Sequence, residues 1–239
     1  MSHISQPVDS ERLARRRRAI RSPRAAAIAG ILFAVLFTFT IVLIRLSVPE
    51  ELSGRVIAGW SEGNIETIRL ALTAVPFAGI AFLWFMGVVR DRLGEHEDQF
   101  FATIFMGSGL LFLAMMFIAA AIAGGILASY ELSTDTSIQN EVVNFGRAVM
   151  YTITNVYGVR MAAVFMISLG TLWRRTGVMK TPFVMLTYAL AAVLMLAGNL
   201  TAWLTLAFPA WVFVVSVYIL VLRLRAKASE EAEAALSME

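Results

Sequence analysis

Six long apolar runs, separated by short polar stretches, succeed one another along the chain at residues 26–46, 68–89, 101–129, 148–173, 182–198 and 203–222. A helix needs about 20 residues to cross a hydrocarbon core, and each run is near that length. The third is longer and the fifth shorter. Period-two alternation is missing, which argues against a transmembrane barrel. The pattern predicts an all-α polytopic membrane protein, a bundle of six transmembrane helices at residues 26–223. A basic segment (1–25) precedes it and a helical tail (224–239) follows.

The polar connections carry their own signals. In the first, Leu52, Val56, Ile57 and Trp60 recur at helical spacing, as in a short interfacial helix that leaves Glu51 and Arg55 in water. Asn64 is placed to cap the second span. Glu95, His96, Glu97 and Asp98 cluster before the third span, where carboxylates complement a helix dipole and Asp98 is the expected cap. A regulatory divalent site is the alternative use of that cluster. No Pro or turn cluster lies between Asp135 or Ser137 and the fourth span, so one helix is expected to run through. The connection 198–202 is short enough to make spans five and six a tight antiparallel hairpin.

Charge orients the bundle. With the N-terminus cytoplasmic, the inner segments collect seven arginines in residues 1–25, then Arg90 and Arg92, Arg174, Arg175 and Lys180, and Arg223, Arg225 and Lys227, most of the 20 basic residues. The positive-inside rule therefore puts both termini in the cytoplasm. The apolar run after the basic segment exceeds a signal-peptide h-region and lacks a cleavage pattern, which makes it an uncleaved first span. The basic segment itself suits anionic lipids at the cytoplasmic face. Without interleaved aromatics it gives no reason to expect nucleic acid. An Ala- and Arg-rich chain of this kind is expected in the plasma (inner) membrane of a prokaryote.

Composition sharpens the class. Of 239 residues 59% are hydrophobic and 15% charged, against about 25% charged in soluble domains. There is no cysteine, which removes disulfides and thiolate chemistry. None of the 17 acidic residues falls in a span core, where coupled carriers usually keep a carboxylate. The two histidines, His3 and His96, lie outside the spans, so haem ligation and zinc or serine–histidine hydrolysis are not expected. The chain is read as a non-enzyme without a cofactor or metal. Met115, Met116, Met161 and Met166 are read as core filler. Trp84, Trp173 and Trp203 are read as an interfacial belt. Residues 119–125, AAAIAGG, offer a smooth face for a neighbouring helix.

Arg160 is the positive feature. It stands midway between Arg147 and Arg174, a bracket of about 40 Å of helix, and so about 20 Å from either flank. At that depth a guanidinium must face protein or water. On a regular helix Tyr157 is its nearest polar neighbour, whereas Asn155, Gly158 and Ala162 fall on the opposite side. The fourth span is therefore expected to be central, with Arg160 in its interior. Candidate partners are carbonyls freed at Pro76 and Pro209, the ring of Trp211, and Thr73, Ser108, Tyr188 and Thr205. Two functions follow. The first is a site or passive path for a small anion or anionic lipid, with Arg160 as its centre and Tyr157 and Asn155 in support. The alternative is a non-catalytic accessory or assembly subunit, with a protein partner or a second copy, in which Arg160 only locks the packing.

Overall fold

The computed structural model describes residues 25–44, 62–93, 99–132, 136–177, 179–197 and 202–236. Among the described residues every regular element is helical. In chain order they are α1 (Ala25–Ile44), α2 (Glu62–Leu93), α3 (Gln99–Leu132), α4 (Thr136–Tyr151), a π-helical segment (Thr152–Gly158), α5 (Val159–Thr176), α6 (Thr181–Ala197), a 3-10 turn (Ala202–Leu206) and α7 (Ala207–Leu236). Glu95, His96, Glu97 and Asp98, the expected interfacial helix of residues 52–60, and the basic segment 1–24 lie outside the described residues.

Five helices are long and apolar enough to cross a membrane: Ala25–Ile44, Ile65–Arg90, Phe100–Ser129, Glu141–Thr176 and Trp203–Leu222. The fifth expected span forms a shorter apolar helix of 17 residues, Thr181–Ala197, which at 1.5 Å per residue is about 25 Å long. The expected continuous helix into the fourth span is present from Thr136, but its hydrogen-bond register changes on the way. The Val159 N–H bonds the Thr154 carbonyl, five residues back.

That change reconciles two packing faces. The positions turned inward are Gln139, Val143, Gly146, half-buried Met150, Asn155, Gly158, Ala162, Phe165, Leu169 and Leu172. They follow one another at steps of three or four, as a helix stripe must, except for a step of five from Met150 to Asn155, between which Ile153 and Thr154 are half-buried as well. One extra residue turns α4 by about 100° relative to α5. Each half is held against α3. A Cβ on Gly146 would meet the Ile126 side chain at 2.6 Å, and one on Gly158 would meet the Met116 methyl at 2.5 Å.

The run through α4 and α5 is the most enclosed of the candidate spans, with 61% of its most apolar stretch buried against 39–44% for the others. α5 packs between α3 and α6 and reaches α7. Its centre is an aromatic knot. Phe82 (α2), Phe112 (α3), Phe165 (α5) and Phe208 (α7) are at most 2% exposed. Their ring centroids lie 4.7 Å apart for Phe112–Phe208, 5.5 Å for Phe82–Phe165 and 5.6 Å for Phe165–Phe208. Phe33 of α1 joins at 4.6 Å from Phe82. Five helices thus meet in edge and tilted ring contacts, the arrangement aromatic quadrupoles favour. α5 ends at Gly177, whose φ of 67° is the left-handed cap that lets the chain turn into α6.

Two tryptophans suit the expected belt, Trp84 at 67% and Trp203 at 48% exposure. Trp173 does not: it is 3% exposed and packs on Trp211 and Phe183. Its indole completes the core because α6 and α7 close over it. Pro209 stands in the first turn of α7, directly after the 3-10 turn, where a proline is tolerated.

Candidate functional site

The sequence pattern of α5 leaves one stripe off its buried face. Val164, Ile167 and Thr171 on it are half-buried, and it continues back through Arg160 to Val156 and Tyr157. Arg160 is therefore half-buried on the outward side of the most enclosed span, not in the middle of the bundle. The guanidinium folds back along its own helix. Its Nη1 donates to the Val156 carbonyl at 2.6 Å, the direction in which long helical side chains lean. No carboxylate pairs with it among the described residues. A guanidinium carries five N–H donors, so most of its capacity stays available.

Tyr157 lies one turn away on the same side and is 53% exposed. The structure thus brings Arg160 and Tyr157 to one outward surface. Asn155 is elsewhere: it is 2% exposed and committed to the interior. Its Oδ1 accepts from Thr205 Oγ1 at 2.7 Å, and its Nδ2 donates to Thr154 Oγ1 at 3.0 Å and to the Tyr151 carbonyl at 3.3 Å. This bond ties the π-helical segment to the 3-10 turn before α7. It also sets the 3-10 turn level with residue 155.

Side-chain donors concentrate at the register change. Thr152 Oγ1 donates to the Ala148 carbonyl at 2.9 Å and Thr154 Oγ1 to that of Met150 at 2.8 Å. With Asn155 on Tyr151 and Arg160 on Val156, four side chains serve main-chain carbonyls within 13 residues. Wide turns loosen the backbone ladder, and in a low-dielectric setting each weakened carbonyl gains from a second donor.

The other expected partners of Arg160 are engaged elsewhere. Thr73 donates to the Arg69 carbonyl at 2.9 Å and Ser108 to that of Ile104 at 2.7 Å. The Tyr188 hydroxyl shares a hydrogen bond with Thr171 Oγ1 at 2.9 Å, joining α6 to α5. Trp211 Nε1 donates to Thr187 Oγ1 at 3.1 Å, joining α7 to α6. These two bonds and Asn155–Thr205 tie the core across helices, and pairing across helices left no mark in the linear sequence.

At the other end of α5, Arg174 and Arg175 are exposed in the last turn, where cations complement the helix dipole. The Arg175 guanidinium lies 4.8 Å from the centroid of the Phe101 ring, a cation–π distance. Exposed Lys180 follows in the turn to α6.

No protein-family model, curated protein or solved structure matches this chain.

Proposed function

We propose that the chain crosses a prokaryotic inner membrane six times with both termini cytoplasmic, and that Arg160 holds the anionic headgroup of a lipid. α6 serves as the fifth, shortest crossing. The exposed cations Arg174, Arg175 and Lys180 then meet the anionic cytoplasmic leaflet. Counting from Arg174 at that face, Arg160 is about 20 Å into a hydrocarbon core roughly 30 Å thick. Its side chain leans outward, bringing the guanidinium within several ångströms of the outer headgroups.

The observation that carries this reading is the single bond from the guanidinium to Val156 on the outward stripe. Among the described residues it leaves most of the guanidinium donors unused. A lipid phosphate or carboxylate accepts such donors in a charge-assisted pair, and Val164 and Ile167 provide an apolar track for an acyl chain. Tyr157 adds an amphipathic ring of the kind found at headgroup level. Asn155 supports the site from behind. The filled aromatic centre weighs against a path along the bundle axis, so a bound lipid is favoured over a permeating anion.

The test is lipid retention after gentle extraction, read by native mass spectrometry, for wild type and Arg160→Leu. Anionic lipid held by the wild type and lost in the mutant is expected. Equal retention in both defeats the proposal. Anion flux in liposomes that disappears in Arg160→Leu would instead make the site a path.

A second reading, the accessory or assembly subunit, draws on α3. Gly107, Ala114, Ala121 and Gly125 are exposed, and a Cβ on Gly107 or Gly125 would meet nothing within 4 Å. Small residues allow another transmembrane helix to approach closely. A larger native complex that survives mild detergents would favour it.

A further inference from the structure

We infer that the Thr205–Asn155 hydrogen bond is a latch that fixes where the extra residue of the fourth helix is accommodated, and thereby which groups flank Arg160. The inference rests on the Arg160 site proposed above for its purpose, but its geometry stands alone.

The extra residue is forced by packing at both ends. α4 is held in one angular phase by Val143 and Gly146 against Ile126. α5 is held in another by Gly158 against Met116 and by Phe165 in the aromatic knot. The two phases differ by one residue, and that residue must be absorbed between Met150 and Gly158. Packing does not say where in this interval. Asn155 does: it is the middle residue of the π-helical segment Thr152–Gly158, its amide is buried and needs a partner, and Thr205 meets it there.

The location matters for the site. On an unbroken α-helix Tyr157, seven residues beyond Met150, would point within about 20° of the α3-facing side. With the wide turns centred on Asn155, from Thr152 to Gly158, it points roughly 100° away, and it is 53% exposed. The Val156 carbonyl, which receives the Arg160 guanidinium, turns with it. Release of the latch allows the extra residue to be absorbed nearer Gly158, which swings Tyr157 towards α3 and withdraws the carbonyl. Asn155 and Thr205 are thus positioning residues for the Arg160 surface.

The chain contains no cysteine, so single cysteines can be placed without background. A spin label at Tyr157→Cys is read for its accessibility to oxygen in liposomes, and a Val143→Cys/Ile126→Cys cross-link, made separately, reports the fold of each background. For a turn of about 100°, Thr205→Val should lower oxygen accessibility at position 157 about twofold or more. Thr205→Ser, which keeps the hydroxyl, should leave it unchanged. Deletion of Ile153 removes the extra residue and turns the step of five into four; alone it should not move the label, and combined with Thr205→Val it should restore the wild-type value. A label unmoved by Thr205→Val in a protein that still forms the cross-link overturns the latch, as does a label shifted by the Ile153 deletion alone. Lipid retention of the parent protein is measured in parallel. A label that responds as expected in a protein that retains no anionic lipid defeats the lipid site and leaves the latch standing.

Discussion

Truncation of Phe165 tests what holds the bundle together. Its ring has four aromatic neighbours, with centroids at 4.6 Å (Phe105), 5.5 Å (Phe82), 5.6 Å (Phe208) and 6.3 Å (Trp211). In a water-soluble core Phe→Ala costs about 3–5 kcal/mol, part of it transfer of the ring out of water. In a bilayer the separated helices still sit in hydrocarbon, so that part largely cancels. The cavity remains. A void of roughly 100 Å³ at about 24 cal/mol per Å³ costs about 2.4 kcal/mol, and lost ring–ring contacts raise the total to about 3–4 kcal/mol. At about 2–4 °C per kcal/mol, the melting temperature of Phe165→Ala in mild detergent should fall by roughly 6–16 °C. Phe77→Ala is the control: Phe77 is 60% exposed on α2, and its loss removes little packing, so its shift should be near zero. Fluorescence-detected thermal unfolding of both variants decides the matter. Equal shifts would refute the reasoning, because stability would then follow ring removal rather than ring packing.

Other expectations are narrower. Arg160→Leu should fold normally while losing retained anionic lipid, as native mass spectrometry reads it. Trp211→Phe removes the donor to Thr187 Oγ1, and a double-mutant cycle with Thr187→Val should give a coupling of about 0.6 kcal/mol, typical of hydrogen bonds between transmembrane helices. Gly177→Val forces a β-branched residue to a φ of 67° and should destabilise the α5–α6 turn by about 1–2 kcal/mol in thermal unfolding. Thr205→Val should reorient position 157, with rescue by the Ile153 deletion, in the accessibility measurement described above.

How much was legible in the sequence depends on whether a signal was local. The apolar runs were, because hydrocarbon demands continuous length, and all six reappear as helices. α6 shows the limit of that reading: 17 residues are enough to be apolar and helical, yet fewer than the usual crossing. The centrality of the fourth span was also legible, from polar or small residues on both its sides. The place of Arg160 was not. Its expected interior place assumed a regular helix and carbonyls freed at Pro76 or Pro209, whereas Arg160 is half-buried and bonds the Val156 carbonyl of its own helix. The pairing of Arg160 with Tyr157 survived, since both stand off the buried face. A step of five between Met150 and Asn155 in the inward series was the available clue, but it shows only once the buried positions are known. Trp173 illustrates the same point, since an indole near a basic helix end reads as interfacial until Trp211 and Phe183 are seen to cover it.

The lengths of the helices have a consequence for the lipid itself. α6 spans about 25 Å, whereas the run from Thr136 to Thr176 is about 60 Å long. A bilayer around this bundle meets a wall of uneven height, low beside α6 and tall beside α4. Hydrophobic mismatch of about 5 Å at α6 costs fractions of a kcal/mol per Å and is relieved by local thinning. The stripe that begins at Arg160 ends at Thr171, which is bonded to Tyr188 of α6, so the thinned patch borders that stripe. If α6 crosses the bilayer as proposed, outer headgroups there would ride lower than elsewhere around the protein, and the same dip that accommodates a short helix would carry phosphate down towards the guanidinium.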